Sequence, residues 1–396
     1  MTQTIATDRK TGFLTYDLQP FTVDCLARIA ARLPGRLKAY PVFGRVDPPG
    51  PPFPYRPSSV RGRAFAVRKA GVTPEGLTAS TNWRGSWACV WENDVVVLFG
   101  IQGGSALVAT TLALLLRRPL ISVNQTLPVA WELRRSWWIL ALKGWILRRC
   151  QLHVVQTPVS TQVLEHVYGI PKEKMVYAPF EGGVRHFKGL LDQVQCSREE
   201  LRQRQNWKTD EVVFLFAGNL LRFKGIDTLM EAASLLKQTG LSHFRIVCLG
   251  PVATQPGEPD LDGWRAEAQT WGVGDHLTFP GPCSLAELAT AYLAADVFLL
   301  PTRKDPWPKV LAEAALAGLP LVTTEACGAA HSLVINNESG FVIQPGDAKA
   351  LAEVMKKLLD APLRKRLGEQ ARATCLQWSD PELEVAGYLQ ALERVG

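Results

Sequence analysis

Two short segments of the 396-residue chain gather residue types suited to gripping an anion. In the first, GNLLRFKG, Gly218 permits a tight turn and is followed by Asn219 and by two cations, Arg222 and Lys224. It comes directly after the apolar run VVFLFA, so both cations stand beside the crevice at a strand's carboxyl end. Together with backbone N–H groups they suit a diphosphate, although basic residues in a turn also fit a loop that merely faces water. The second segment, DPWPKVLAEAALAG, follows another apolar run, VFLLP. Asp305 is read as a helix N-cap with Pro306 in the first helical position, which aims free N–H groups at the same crevice. Glu313 lies on the same expected helix, with seven residues between it and Asp305. Its neighbours Leu311, Ala312, Ala314 and Ala315 are apolar, and a carboxylate so placed could hold two sugar hydroxyls at once. Simple capping by Asp305 and a surface position for Glu313 are the alternatives.

The elements that would position these residues read most clearly in the second half. Apolar runs at 212–217, 244–249, 276–279, 297–301 and 320–324 alternate with helical patterns at 226–236, 285–294 and 311–317. Short unalternating strands separated by helices predict a parallel sheet covered on both faces, a doubly wound domain. The first half repeats the theme with strands at 95–99, 120–123 and 152–156. Seven prolines between residues 41 and 57 exclude helix or central strand there, and with one clear strand before it the stretch reads as a rigid surface excursion. The expected division is 1–187, 188–377 and a C-terminal helix at 378–396.

Composition narrows the functional classes. Hydrophobic residues make up 47% and charged ones 20%, which excludes a disordered or collagen-like chain. The eight cysteines form no CxxC pair and there is no His cluster, so reduced buried thiols are expected rather than a disulfide framework or zinc site. No run reaches the ~20 apolar residues of a spanning helix, and the polar start MTQTIATDRK lacks a signal-peptide core, so a cytoplasmic location is expected. The phosphate-loop, GxGxxG, GxSxG and HExxH signatures are missing. Asp260-Leu261-Asp262 is an acid–x–acid triplet in a polar Gly/Pro loop, and no metal or other cofactor is assigned to it. Residues 1–185 carry 23 Lys and Arg against 11 Asp and Glu, a net +12, while the remainder carries 21 against 26, a net −5. Such asymmetry is the footprint of an anionic partner, unless the arginines only complement helix ends. In RRSWWILALKGWILRRC, residues 134–150, Trp137, Trp138 and Trp145 recur among Arg134, Arg135, Lys143, Arg148 and Arg149. That mixture suits a peripheral contact with an anionic membrane through 134–149; a core helix with basic ends is the competing reading.

The acid–seven residues–Glu pattern in DPWPKVLAE, with FAGNLLRFKGIDTLMEAA before it and LAGLPLVTTEACGAAHSLVINNESGFVIQPGD after it, resembles the family 4 glycosyltransferases (glycosyltransferases group 1). The resemblance runs from about Glu211 to Ala350; in the first half only the order of elements fits. It implies the GT-B fold, α/β with two facing Rossmann-like doubly wound parallel-sheet domains, and a last helix, WSDPELEVAGYLQALERV, crossing back to the first. It also implies sugar transfer from a nucleotide-diphosphate donor, UDP-sugar favoured, to a glycan or glycolipid acceptor, with retention and without a metal. Residue by residue, Gly218, Asn219, Arg222 and Lys224 would hold the donor diphosphate. Asp305 would face the donor sugar or phosphate, Glu313 the ribose, and Trp307, Pro308, Lys309 and Val310 would line the same site. Asp305, Arg222 and Lys224 would carry catalysis. Gly103, Gly104, Asn124 and Gln125 fall on the acceptor side. Three departures stand out: Asn219 where the family usually has Arg, Asp305 where it usually has Glu, and Asn124-Gln125 where it often has His. They keep open an inactive or partner-dependent subunit that binds nucleotide sugar, or an epimerase on the same fold. Nucleic-acid binding would explain the charge but not the diphosphate motifs, and is not expected.

Overall fold

β-Branched and aromatic residues supply most of the short strands, and a strand that is apolar on both faces needs cover on both. In the computed structural model, which describes residues 9–15, 20–41, 82–101, 104–126, 128–180, 184–252 and 255–395, that cover is helical. The proline-rich stretch beyond Pro41, and Gly103, lie outside the described residues. Two strands, β1 (Thr11–Thr15) and β2 (Leu37–Pro41), precede that stretch where the sequence reading had one. They join β3 (Val95–Phe99), β4 (Leu120–Asn124), β5 (Leu152–Val155) and β6 (Met175–Tyr177) in a parallel sheet of order β2-β1-β3-β4-β5-β6. A second parallel sheet has the order β12-β11-β10-β7-β8-β9. Its strands are β7 (Val212–Ala217), β8 (Phe244–Leu249), β9 (Leu277–Gly281), β10 (Val297–Leu299), β11 (Leu321–Thr324) and β12 (Gly340–Ile343). Both sheets are doubly wound, as the alternation of elements predicts.

The chain forms two compact units, residues 1–182 with 379–396, and residues 183–378. The helix Val184–Asp192 opens the second unit, so the expected boundary at 187 falls inside it. Its Phe187 packs edge-on against Tyr292 at 5.6 Å, which ties those first residues to the second unit's core.

In the first unit the helices Pro20–Arg32 and Pro381–Val395 cover one face of the sheet, burying Leu26, Ile29, Val385 and Tyr388 against Val95, Val97, Ile121 and Val154. The last helix thus returns to the first unit. At Gly387 a Cβ would sit 2.4 Å from the Tyr177 carbonyl oxygen, so only glycine lets this helix lie so close to β6. The helices Trp83–Glu92, Gly104–Leu115, Trp137–Arg149 and Pro158–His166 cover the other face.

Candidate functional site

In the second sheet the chain's progression reverses between β7 and β10, the place where doubly wound sheets open a crevice at their carboxyl edge. Both predicted segments leave the sheet there. Gly218 follows β7 at φ 144°, its N–H bonded to the Leu249 carbonyl at 2.9 Å. Residues 222–224 make one tight helical turn that ends at Gly225, φ 86°, where a Cβ would meet the Pro301 carbonyl oxygen at 2.1 Å. The loops after β7 and β10 therefore touch, and hydrogen bonds join them. The Phe223 carbonyl accepts from the Arg303 N–H at 2.7 Å and from the Thr302 hydroxyl at 3.2 Å. Across this seam the Lys224 ammonium pairs directly with the Asp305 carboxylate, whose side chain is only 9% exposed.

Asp305 is not a helix cap. The helix spans Lys309–Leu316, with Pro308 at its N-cap position. A residue preceding proline is turned away from helical geometry, and Asp305 and Trp307 each precede one, so the helix starts only past the second proline. Asp305 and Glu313 consequently sit on different elements. The Asp305 backbone bridges to the 326–328 loop instead, its N–H to the Ala326 carbonyl at 3.2 Å and its carbonyl from the Gly328 N–H at 2.8 Å. Trp307 is buried with its ring 5.5 Å from that of Trp378, and Pro308 is buried beside it. Lys309 and Val310, half-buried, form the first helical turn. Glu313 is half-buried on the same helix and accepts from the Tyr292 hydroxyl at 3.2 Å. Burial pushes its carboxyl above the ordinary range, against the opposing pull of the Tyr292 hydrogen bond and of Lys309.

Arg222 faces elsewhere. Its guanidinium takes Glu267 in a two-pronged grip at 3.0 and 2.9 Å and lies 5.2 Å from the Trp264 ring, while the Arg222 backbone N–H donates to the Glu258 carboxylate at 3.0 Å. The structure brings Lys224 and Asp305 together but does not add the Arg222 guanidinium to them; Asn219 stands exposed at the turn. The sequence reading missed Tyr292 and Arg303. Arg303 holds Asp227 bidentately at 2.7 and 2.8 Å and so braces the seam. Its signal was available: a cation two residues before the acid in the same post-strand loop. A lone Tyr in an apolar helix gave no comparable signal. Asp260 caps the helix Leu261–Thr270, accepting from the Gly263 N–H at 2.8 Å, and Asp262 pairs with Arg265 at 3.0 Å. Among the described residues no group of three His, Cys, Asp or Glu is placed to hold a metal ion.

In the first unit Gly104 opens a helix, Gln125 is exposed, and Asn124 ends β4 fully buried. The Asn124 amide donates to the Ser122 hydroxyl at 2.8 Å, which in turn lies 2.7 Å from His153 Nδ1. Burial holds His153 down to about 4, so the imidazole is neutral. The basic helix divides its residues between the two sequence readings. Lys143, expected among the membrane-facing cations, is buried with its ammonium 2.6 Å from Glu132, and Arg135 pairs with the same acid at 2.9 Å. Ile146 and Leu147 face the core while Trp137 is 80% exposed and Trp138 44% exposed.

Residues 197–374 match the family model described as glycosyl transferases group 1. The chain is 32% identical over 202 residues to D-inositol 3-phosphate glycosyltransferase 1 of Catenulispora acidiphila, covering 50% of this chain and 48% of that protein. It is likewise 32% identical over 210 residues to the lipopolysaccharide glucosyltransferase WaaG of Escherichia coli, covering 52% of this chain and 53% of that one. The chain thus spans about half the length of the curated relatives it matches. The solved structure of Anabaena HepE in complex with UDP superposes with a TM-score of 0.74 at 18% identity, covering 97% of this chain and 100% of HepE. That likeness establishes the fold, GT-B, for the two doubly wound units.

Proposed function

We propose, from the match of residues 197–374 to the glycosyl transferases group 1, that the chain transfers a sugar from a nucleotide-diphosphate donor, a UDP-sugar in first place, to an acceptor glycan. The observation that carries the reading is the Lys224–Asp305 pair at the β7/β10 crevice. Asp305 aims the ammonium where charge grows on a departing diphosphate, and the amino-terminal end of the helix Lys309–Leu316 adds the positive end of its dipole. Glu313 accepts from the ribose hydroxyls, oriented by Tyr292. Arg222 is assigned to the loop it braces rather than to the phosphates. The proposed transfer retains anomeric configuration and needs no metal, with the Lys224 ammonium facing the diphosphate. UDP in HepE supports the choice of base.

The proposed acceptor is a lipid-linked or polysaccharide glycan met at the inner face of a membrane, on the strength of the +12 charge of residues 1–185. No helix among the described residues is long and apolar enough to cross a membrane; the proposed encounter is peripheral.

A thermal-shift panel of nucleoside diphosphates and nucleotide sugars tests the donor. A ligand at about 100 times its Kd stabilises by roughly 2.7 kcal/mol, so UDP or a UDP-sugar should raise the midpoint clearly. No shift with any nucleoside diphosphate overturns the reading. Binding without turnover, as Asn219 and Asn124 would permit, reassigns the chain as a nucleotide-sugar-binding subunit.

A further inference from the structure

Tryptophan is highly buried on average, yet the helix Trp83–Glu92 exposes one at every fourth position. Trp83, Trp87 and Trp91 are 59%, 48% and 60% exposed, and the last two stack at 5.8 Å. The opposite side of this helix, Ala88, Cys89 and Val90, shares one core with the helices Gly104–Leu115 and Trp137–Arg149. The three helices therefore form a single layer on the first sheet, and their remaining faces are its outer surface. Gly104–Leu115, GSALVATTLALL, contains no charged residue and packs against both of the other helices. It runs out into exposed Leu115 and Leu116 before Arg117 and Arg118. Trp137 and Trp138 project from the third helix.

Charge on this layer has one sign. Residues 83–149 contain eight Lys and Arg but only three acids, Glu92, Asp94 and Glu132. Each acid is already engaged: Glu92 by Lys38 at 2.6 Å, Asp94 by Arg118 at 2.8 Å, and buried Glu132 by Lys143. Arg84 lies 5.3 Å from the Trp83 ring and Arg149 5.2 Å from the Trp145 ring. An uncharged apolar strip carrying indoles and flanked by guanidinium groups matches the headgroup level of a bilayer, where indole and Arg are both well solvated. A second copy fits badly, since it would set two faces of the same positive sign together. A contiguous apolar patch of this kind on a monomer marks a contact surface.

We infer that this three-helix face docks on an anionic lipid bilayer, with Trp83, Trp87 and Trp91 as its principal anchors and the outward arginines drawn to the lipid charge. The inference goes beyond the donor reading and stands without it. It also relocates the contact: Arg135 and Lys143, bound to Glu132, take no part.

Cosedimentation of the full chain with vesicles tests it. Vesicles of phosphatidylcholine with 30% phosphatidylglycerol should retain the protein, pure phosphatidylcholine should retain much less, and high salt should release it, as expected for contacts screened within about 8 Å at physiological ionic strength. Trp87→Ala combined with Trp91→Ala should weaken retention at least tenfold with an unchanged thermal midpoint. Trp271→Ala, an exposed indole of the second unit, should leave retention unchanged. No retention on anionic vesicles, or equal retention of the double variant, overturns the inference. So does a concentration-dependent dimer that the double variant abolishes, without vesicle binding. A chain that binds vesicles but no nucleotide fails the donor reading alone; one that binds nucleotide but no vesicles fails this inference, together with the membrane encounter proposed for the acceptor, and leaves the donor reading intact.

Discussion

The second unit ties its carboxyl-edge loops by charge to one another and to neighbouring helices: Lys224 to Asp305, Arg303 to Asp227, Arg222 to Glu267. In the first unit the corresponding end of β4 holds a buried neutral chain, Asn124 to Ser122 to His153, and the exposed chemistry lies on the outer helices instead. The two sheets have closely similar topologies, so the difference does not come from the fold. Strands covered on both faces are largely held to apolar or neutral residues, whereas post-strand loops and outer helix faces are free to take whatever a ligand requires. One unit has placed its charges in a crevice that suits a small anion. The other has spread indoles and arginines over a surface that suits an extended one.

Removing Lys224 breaks the comparison at its strongest point. Asp305 is nearly buried, and Lys224→Ala leaves its carboxylate without its ammonium, at a stability cost of roughly 3 kcal/mol. The same change should weaken donor binding by about 2–3 kcal/mol through loss of a charge-assisted contact. Adding Asp305→Asn should restore most of the stability and none of the affinity, measured by urea unfolding and by calorimetric titration with the nucleotide. Recovery of both would mean that Lys224 serves only the loop.

The first unit's buried chain predicts acid sensitivity of similar size. The folded protein resists protonating His153 until about pH 4, while an unfolded histidine takes up its proton near 6.5. Its contribution is therefore complete above about pH 6.5 and is lost as the pH falls toward 4, roughly 3 kcal/mol in all. Unfolding free energies across that window should fall more steeply for the parent chain than for His153→Asn. Parallel curves would show that the folded chain takes up this proton as readily as the unfolded one.

Glu313 should separate binding from stability. Glu313→Gln keeps the Tyr292 contact but removes the anion, so donor affinity should drop by about 1.5–3 kcal/mol. Burial raises the Glu313 carboxyl, so the folded state favours its protonated form: that favourable contribution is present below the unfolded pKa and lost as pH rises through the folded one. The Gln variant should accordingly melt higher than the parent at neutral pH, with the gain shrinking on acidification. A variant that binds donor normally removes Glu313 from the ribose role.

Sequence legibility followed the same division between the units. VVFLFA and FRIVCL were readable as strands because a doubly covered strand must be continuously apolar, and they form β7 and β8 residue for residue. Lys224 and Asp305 were legible as a pair of post-strand charges, since the loop that follows a buried strand is where polar residues become informative. Their mutual contact was not, because it depends on the order β10-β7, which no local pattern encodes. Asp305-Pro306 imitates a capped first turn, but the second proline, Pro308, delays the helix start to Lys309. Lys143 was misread because its partner Glu132 sits eleven residues away, outside the helix. The stripe of Trp83, Trp87 and Trp91 escaped notice because WRGSWACVWE alternates large and small residues as a core helix would.

The smallest expected effect concerns Arg222 and decides how far the crevice extends. Its guanidinium is 43% exposed, and an exposed ion pair, even a two-pronged one, contributes about 1 kcal/mol or less. Arg222→Ala should therefore cost at most about 1 kcal/mol of stability. It should also leave donor affinity within about 0.5 kcal/mol of the parent, the scatter expected of a surface substitution. Glu267 satisfies both arms of the fork and Trp264 lies 5.2 Å from it, so reaching a diphosphate would require abandoning both partners at once. Glu267→Gln supplies the converse test, because it frees the guanidinium without deleting it. If Arg222 only braces the loop, the Gln variant binds nucleotide like the parent. Tighter binding in the Gln variant, together with weaker binding in Arg222→Ala, would show that Glu267 and the donor compete for one cation, and the crevice would then hold two positive groups rather than Lys224 alone.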